Sequence, residues 1–406
     1  MIKKCLSVAS SERRASPFRT VPLATNILRI ALVGDIQRRM PRTQLPFAQL
    51  AIALTCSLFT APAQAQRARV FVASYGNDSN PCTFGSPCKT FQQAIDVVAT
   101  GGEVTAIDSA GFGPMSINKS VSIVGNGQAG IVATCNSCAG VFVNAGPNDQ
   151  VNLRGLIIEG AGTGNTGVQY GIGASLSIEN CVIRGFTFAG IYQITQANSA
   201  LLVSDTFISD SLSATGIFIA PSGGNTTIVI NRVSVTNHKD GLVSVAAGTS
   251  KLTVRDSLFS NNSNNGINLS PTGFNVVQAT FNRVEVDSNG DDGILVSGGS
   301  STGTVNATVS ESVASGNASF DYVAASNTGQ APTTLMVLHS VASGAVVAAG
   351  VAAQGSGATL NIANSMVTEN AIGWSAVNGG VLQSYGDNYI DGNAIGNTPP
   401  PNINRK

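Results

Sequence analysis

Charge is scarce in this chain. Only 11% of its 406 residues are Asp, Glu, Lys or Arg, aromatic residues make up 6%, and there are two histidines and one tryptophan. Between residues 284 and 404 there is no Lys or Arg at all. Affinity for nucleic acid comes from Lys and Arg neutralising phosphates, so nucleic acid is not an expected partner. Long apolar runs are missing too: outside residues 47–60, no segment approaches the length needed to span a bilayer. No second Cys pair stands at zinc spacing, and no His lies near the Cys-x-x-Cys at 135–138, which argues against a zinc centre. What is abundant is glycine, 45 residues, together with a hydrophobic share of 43% that is too high for a disordered chain.

The apolar residues recur. Starting from Val254 and seeking an apolar residue followed five positions later by another gives the anchors Leu153, Ile178, Val203, Ile230, Val254, Phe281, Val309, Val337, Ile362 and Tyr385. Their separations are 25, 25, 27, 24, 27, 28, 28, 25 and 23 residues, the period of a solenoid. Five residues after each anchor stands an apolar residue, from Ile158 to Ile390, without a polar exception. Eight residues after it, asparagine recurs at 262, 289, 317, 370 and 393. A third apolar column follows a glycine, as in Gly190-Ile191, Gly216-Ile217, Gly266-Ile267 and Gly373-Trp374. Each unit thus holds three short strands rich in Val and Ile, separated by Asn, Asp, Ser and Gly corners. One unit cannot bury its apolar side chains, but stacked units can, each strand pairing with its copies about 4.8 Å away.

Ahead of the repeats, residues 40–65 read as a signal peptide. Arg42 follows Met40, an apolar run covers 47–60, and Ala63-Gln64-Ala65 offers a small-x-small cleavage site. Residues 1–39 sit awkwardly before it and are read as a non-native extension, with translation starting at Met40. Removing 1–65 takes away nine basic and two acidic residues of the 22 of each, leaving 13 and 20, a net charge of about −7. The mature protein is expected to be secreted or periplasmic, with no membrane span. A polyanionic sugar would be repelled unless a cation bridged the charges. Export permits disulfides, and Cys82–Cys88 and Cys135–Cys138 would each close a short loop. Cys181 falls three after its anchor, in line with Thr206, Ser257, Ser312, Ser340 and Ser365, and reads as a small packed residue.

Residues 70–81, Val-Phe-Val-Ala-Ser-Tyr-Gly-Asn-Asp-Ser-Asn-Pro, precede Pro-Cys-Lys-Thr-Phe-Gln-Gln-Ala-Ile-Asp at 87–96 and Gly-Gly-Glu-Val-Thr-Ala at 101–106. This opening resembles that of exported right-handed parallel β-helix proteins of the pectin-lyase-like superfamily, as do the asparagine columns. The resemblance covers about residues 70–395 and implies the fold, with polysaccharide lyases and hydrolases among the activities. Independently, Phe91, Ala94, Ile95 and Val98 lie at helical spacing after Thr90, a capping residue type. That predicts a two-turn helix whose apolar face covers the first coil, as terminal repeats require.

The Gly-His-Gly and Arg-Ile-Lys motifs of polygalacturonases are absent, although Asp291-Asp292 resembles their paired aspartates. Two residues after the anchors, the column Asn180, Asp205, Arg232, Asp256, Arg283, Glu311, His339, Asn364, Asp387 alternates in sign from Asp205 to Glu311. This reads as a charge ladder on one corner. An enzyme would instead use Arg232 or Arg283 as base, with Asp205 and Asp256 as cation ligands. Asp287, Asn289 and Asp291 place oxygen side chains at alternate positions of a tight turn, with Asp292 next to them, and this makes Asp287, Asp291 and Asp292 calcium candidates, though no EF-hand loop is formed. Otherwise no cofactor is expected. His238 falls in the asparagine column and His339 in the charge column, and both read as ladder substitutes.

The expected organisation is an all-β right-handed parallel β-helix over 66–395, of about eleven or twelve coils, with a short N-terminal capping helix and a flexible tail over 396–406. The expected function is a non-catalytic scaffold associated with a polysaccharide or cell-surface glycan. The alternative is a polysaccharide lyase or glycoside hydrolase.

Overall fold

The computed structural model describes residues 67–404 except Asn275. Residues 1–66, which include the expected signal peptide and the expected extension before it, lie outside the described residues. The described part belongs to the unit Ala65–Lys406.

Three parallel sheets wind around one apolar core, and the repeat columns are their inward-facing ladders. In the first sheet Leu153, Ile178, Val203, Ile230, Val254, Phe281, Val309, Val337 and Ile362 pair in that order, one per turn. In the second, Ile158, Ile183, Ile208, Val235, Phe259, Val286, Ala314, Ala342, Val367 and Ile390 do the same. In the third, Val168, Ile191, Ile217, Leu242, Ile267, Ile294, Tyr322, Val351 and Trp374 follow one another. All but Ile390 and Trp374, in the last turns, are buried.

The last anchor is a correction. Ser384, not Tyr385, pairs with Ile362. Two residues after Ser384 comes Gly386 with φ 80°, and a left-handed residue two after the anchor closes the same corner in the preceding turns. That corner sets the register, and choosing the more apolar neighbour shifted it by one. Tyr385 is only half-buried.

The corner between the first and second sheets turns on a single left-handed residue. Asn180, Asp205, Arg232, Asp256, Arg283, Glu311, His339 and Asn364 all have φ between 47° and 54°. Such backbone is uncommon outside Gly, Asn and Asp. Here the neighbouring strands on both sides impose it, so Arg, Glu and His adopt it as well.

Two side-chain ladders run inside the corners. Asn262 Nδ2 donates to Asn289 Oδ1 and Asn289 Nδ2 to Asn317 Oδ1, both at 2.9 Å, and Asn370 repeats this with Asn393. The column is interrupted at Ala345, and Asn317 turns its amide to Asp321 at 2.8 Å. The column of Cys181 is more than packing. The backbone N–H of Ser312 donates to Ser340 Oγ and that of Ser340 to Ser365 Oγ, at 3.2 and 3.1 Å. Each hydroxyl in turn donates to the carbonyl two residues back, for example Ser312 to Ser310 at 2.8 Å. These bonds satisfy polar groups that the stack would otherwise bury alone.

Both ends are covered. Helix α1, Phe91–Val97, has Thr90 as N-cap, its hydroxyl accepting from Gln93 N, and it buries Phe91, Ala94 and Ile95. Residues 396–404, expected as a flexible tail, lie along the last turn instead. Asn402 bridges Ser384 in parallel, Ile403 N donates to Ser384 O at 2.9 Å, and Trp374 Nε1 donates to Thr398 O at 2.7 Å. The open edge of the last turn supplies the donors and acceptors that hold it. Cys82–Cys88 and Cys135–Cys138 are both bonded, with Cα separations of 4.6 and 5.2 Å, and Cys181 is free and buried. No helix among the described residues is long and apolar enough to cross a membrane.

Candidate functional site

The charge corner is assembled, and its charges are matched to one another. Arg232 donates through Nε and Nη2 to Asp205 at 2.6 and 2.7 Å, and Arg283 does the same to Asp256 at 2.6 and 3.1 Å. Glu311 stands 3.7 Å from Arg283. Hydrogen bonds from the guanidinium groups hold both aspartates below the usual carboxylate range and raise the arginines further. An arginine acting as base must lose its proton, and these pairings oppose that loss. The concavity beside them, about 350 Å³, is shallow and lined by Arg232, Asp256 and Arg283 with Glu285 and Leu258.

The acidic turn is divided. Asp287 accepts from Ser288 and Ser315 hydroxyls at 3.1 and 2.8 Å. Asp292 is buried and accepts the Phe320 N–H at 3.2 Å, with its pKa raised by burial to about 6. Asp291 is half-buried beside it. Among the described residues, no three His, Cys, Asp or Glu side chains are grouped as a metal-binding set. His238 is buried, with Nδ1 against Thr236 O at 2.9 Å and Nε2 unpartnered, and burial lowers its pKa to about 4. His339 lies apart from it, in an open concavity of about 780 Å³ with Asn364, Tyr385 and Asp387, walled on one side by Ile403 and Asn404.

A different face carries a groove that the sequence reading missed. On the third sheet the residues alternating with the core ladder face outward, and Phe142, Gln169, Tyr192, Phe218 and Val243 are neighbours in consecutive turns. Tyr192 and Phe218 stack on each other, ring centroids 5.3 Å apart and planes at 16°, with Phe188 edge-on to both. Their faces are taken up by one another, which makes this cluster a packing device. Phe142 differs. No ring stacks on it among the described residues, and it lies toward Gly171, where an added Cβ would meet its ring at 3.5 Å.

Phe142 also stands between two concavities. One, about 330 Å³, is lined by Asn144, Pro147, Gly171 to Gly173, Ile194 to Ala197 and Phe142. The other, about 490 Å³, is lined by Gln92, Pro114 to Ser116, Ser137 to Ala139, Gln169 and Phe142. The Cys135–Cys138 disulfide closes the turn that forms one wall, and Cys138 O accepts from Asn165 N at 3.0 Å in the next turn. Gln92 is held in place, accepting from Ser116 N and donating to Asp96. A signal existed in the sequence: Val-Phe-Val at 141–143 and Ile-Phe-Ile at 217–219 put an aromatic residue where strand alternation calls for a solvated one.

A family model described as right handed beta helix region matches residues 139–314. The chain is a right-handed parallel β-helix. Among solved structures, the A-module of the mannuronan C-5 epimerase AlgE4 from Azotobacter vinelandii superposes with a TM-score of 0.52 at 15% identity, covering 75% of this chain and 89% of that one. It shares the fold. The pectate lyase Pel9A aligns with a TM-score of 0.45 at 13% identity, covering 80% and 79% of the two chains. The Dettilon tailspike protein gp208 aligns at 0.39 and 12%, covering 80% and 68%. No curated protein matches the sequence.

Proposed function

We propose that this β-helix is an exported, non-catalytic scaffold that holds a polysaccharide along the outer face of its third sheet. The observation that carries this reading is Phe142, an aromatic ring with no stacking partner among the described residues, set between two concavities of one face. Glycan chains are held by an aromatic face with a few polar groups around it, and that is the composition here. Export with cleavage near Ala65 is part of the reading, and the two disulfides support an oxidising compartment. The arginines a lyase would use are engaged with aspartates, and that supports a role in holding rather than cutting.

The alternative is a lyase or hydrolase working at the His339 concavity, where His339, Tyr385 and Asp387 line one open space. A panel of polysaccharides incubated with the full chain separates the two. Binding without new reducing or unsaturated ends is the expected result, and reproducible cleavage of any polymer would overturn it.

A further inference from the structure

We infer that the third-sheet groove takes an uncharged glycan and discriminates against uronate polymers; this deepens the reading of that face as the glycan-binding one and rests on it. Neither concavity beside Phe142 is lined by an Asp, Glu, Lys, Arg or His. Their polar side chains are hydroxyls and amides, and Asn144, Gln169 and Gln196 make no side-chain hydrogen bond among the described residues. Amides and hydroxyls pair equally well with sugar hydroxyls as donors and as acceptors. A carboxylate on every sugar would need cations, and the groove has none to offer.

Several cations of the surrounding turns are committed elsewhere, and the exposed Lys239, Lys251 and Arg255 lie on turns beyond the groove and not in its lining. Arg184 is paired with Glu159, Arg154 lies 3.8 Å from Glu179, and Arg232 and Arg283 are held by Asp205 and Asp256. Lys119 donates to Val98 O at 2.6 Å. Beyond residue 283 the turns carry acidic residues and no Lys or Arg up to residue 404, so a polyanion long enough to run from the groove along the axis into those turns would meet like charge there. Phe142 adds the apolar half of the site. Its ring lies toward Gly171 and can meet the C–H face of a sugar ring, a contact that needs no charge on the sugar.

Affinity electrophoresis of the full chain in gels containing hydroxyethylcellulose, galactomannan, polygalacturonate or alginate, each with and without calcium, tests this. Retardation is expected in at least one uncharged gel and in neither uronate gel. Phe142→Ala should weaken it about tenfold, a loss of about 1.4 kcal/mol, with the fold checked by thermal melting. Gln169→Lys, at a half-exposed position, provides a second arm if the alanine variant does not fold: it should weaken the uncharged interaction and create salt-sensitive retention by a uronate. Retention of the wild type by a uronate gel, lost in the Phe142 or Gln169 variant, would overturn the uncharged specificity while leaving the face as the glycan site. Retention in none of the gels would overturn the glycan reading itself. Uncharged binding unaltered in the folded variants would move the site off this face and overturn both.

Discussion

Arg232 grips Asp205 one turn away through two parallel hydrogen bonds of 2.6 and 2.7 Å, each partner on a left-handed corner residue. The backbone places the two side chains in line and the stack holds them at one-turn spacing. Because both are exposed, the pairing adds modestly to stability and is screened by salt. Arg232→Gln should lower the melting temperature by roughly 1–2 °C, and the difference should shrink in high salt. The lowered pKa of Asp205 means its contribution is present above about pH 4 and is lost as pH falls through the lower folded value. The variant should lack that acid-side loss. A drop that persists in high salt would show that the side chain works through packing instead.

Val254 and Thr253 are adjacent in one strand and face opposite ways, Val254 fully buried and Thr253 half-exposed. Val254→Asp should cost about 3–5 kcal/mol, since it places an unpaired carboxylate in the stack. Thr253→Asp should cost under about 0.5 kcal/mol, as surface changes do. Chemical denaturation of both variants checks the assignment of faces, and equal losses would refute it.

The solenoid was legible because each core column is visited once per turn, so an apolar requirement at one position repeats at a readable period. Asn262, Asn289 and Asn317 were legible for the same reason. The hydroxyls at 312, 340 and 365 were read only as small, since nothing in a serine column says that its oxygen accepts the next turn's N–H. Tyr385 was misplaced because hydrophobicity was weighed there, while the Gly386 corner decides the register. The groove at Phe142 escaped because outward positions carry no periodic constraint. Their meaning depends on which loops stand beside them, as the turns around Pro147 and Cys138 do.

His238 stands where the ladder calls for asparagine. It accepts nothing through Nε2, while its own N–H donates to Asn262 Oδ1 at 3.1 Å. With its pKa lowered to about 4 from 6.5, the neutral form is favoured in the fold. Its contribution is therefore present above pH 6.5 and lost as pH falls toward 4. His238→Asn should extend the ladder by one turn, raise stability at pH 7 by about 1 kcal/mol, and flatten the pH dependence between those values. Urea denaturation at both ends of that range measures it.

Asp292 should act with the opposite sign. Burial raises its pKa from 3.8 to about 6, so the folded state favours the protonated carboxyl. Its contribution is full below pH 3.8 and is lost as pH rises through 6. Asp321, buried against Asn317 with its pKa also raised, adds to the same trend. Asp292→Asn keeps an oxygen for the Phe320 N–H and removes the charge that burial opposes. The variant should therefore gain about 1–2 kcal/mol over the wild type at pH 8 and differ little at pH 4. Calcium separates this from the metal reading of the same turn, because a cation held by Asp287, Asp291 and Asp292 would stabilise the ionised wild type. If calcium raises the wild-type melting temperature at pH 8 and the gain disappears in Asp292→Asn, the acidic turn is a cation site and its burial cost is offset by the metal. No calcium response together with a more stable variant is the expected result.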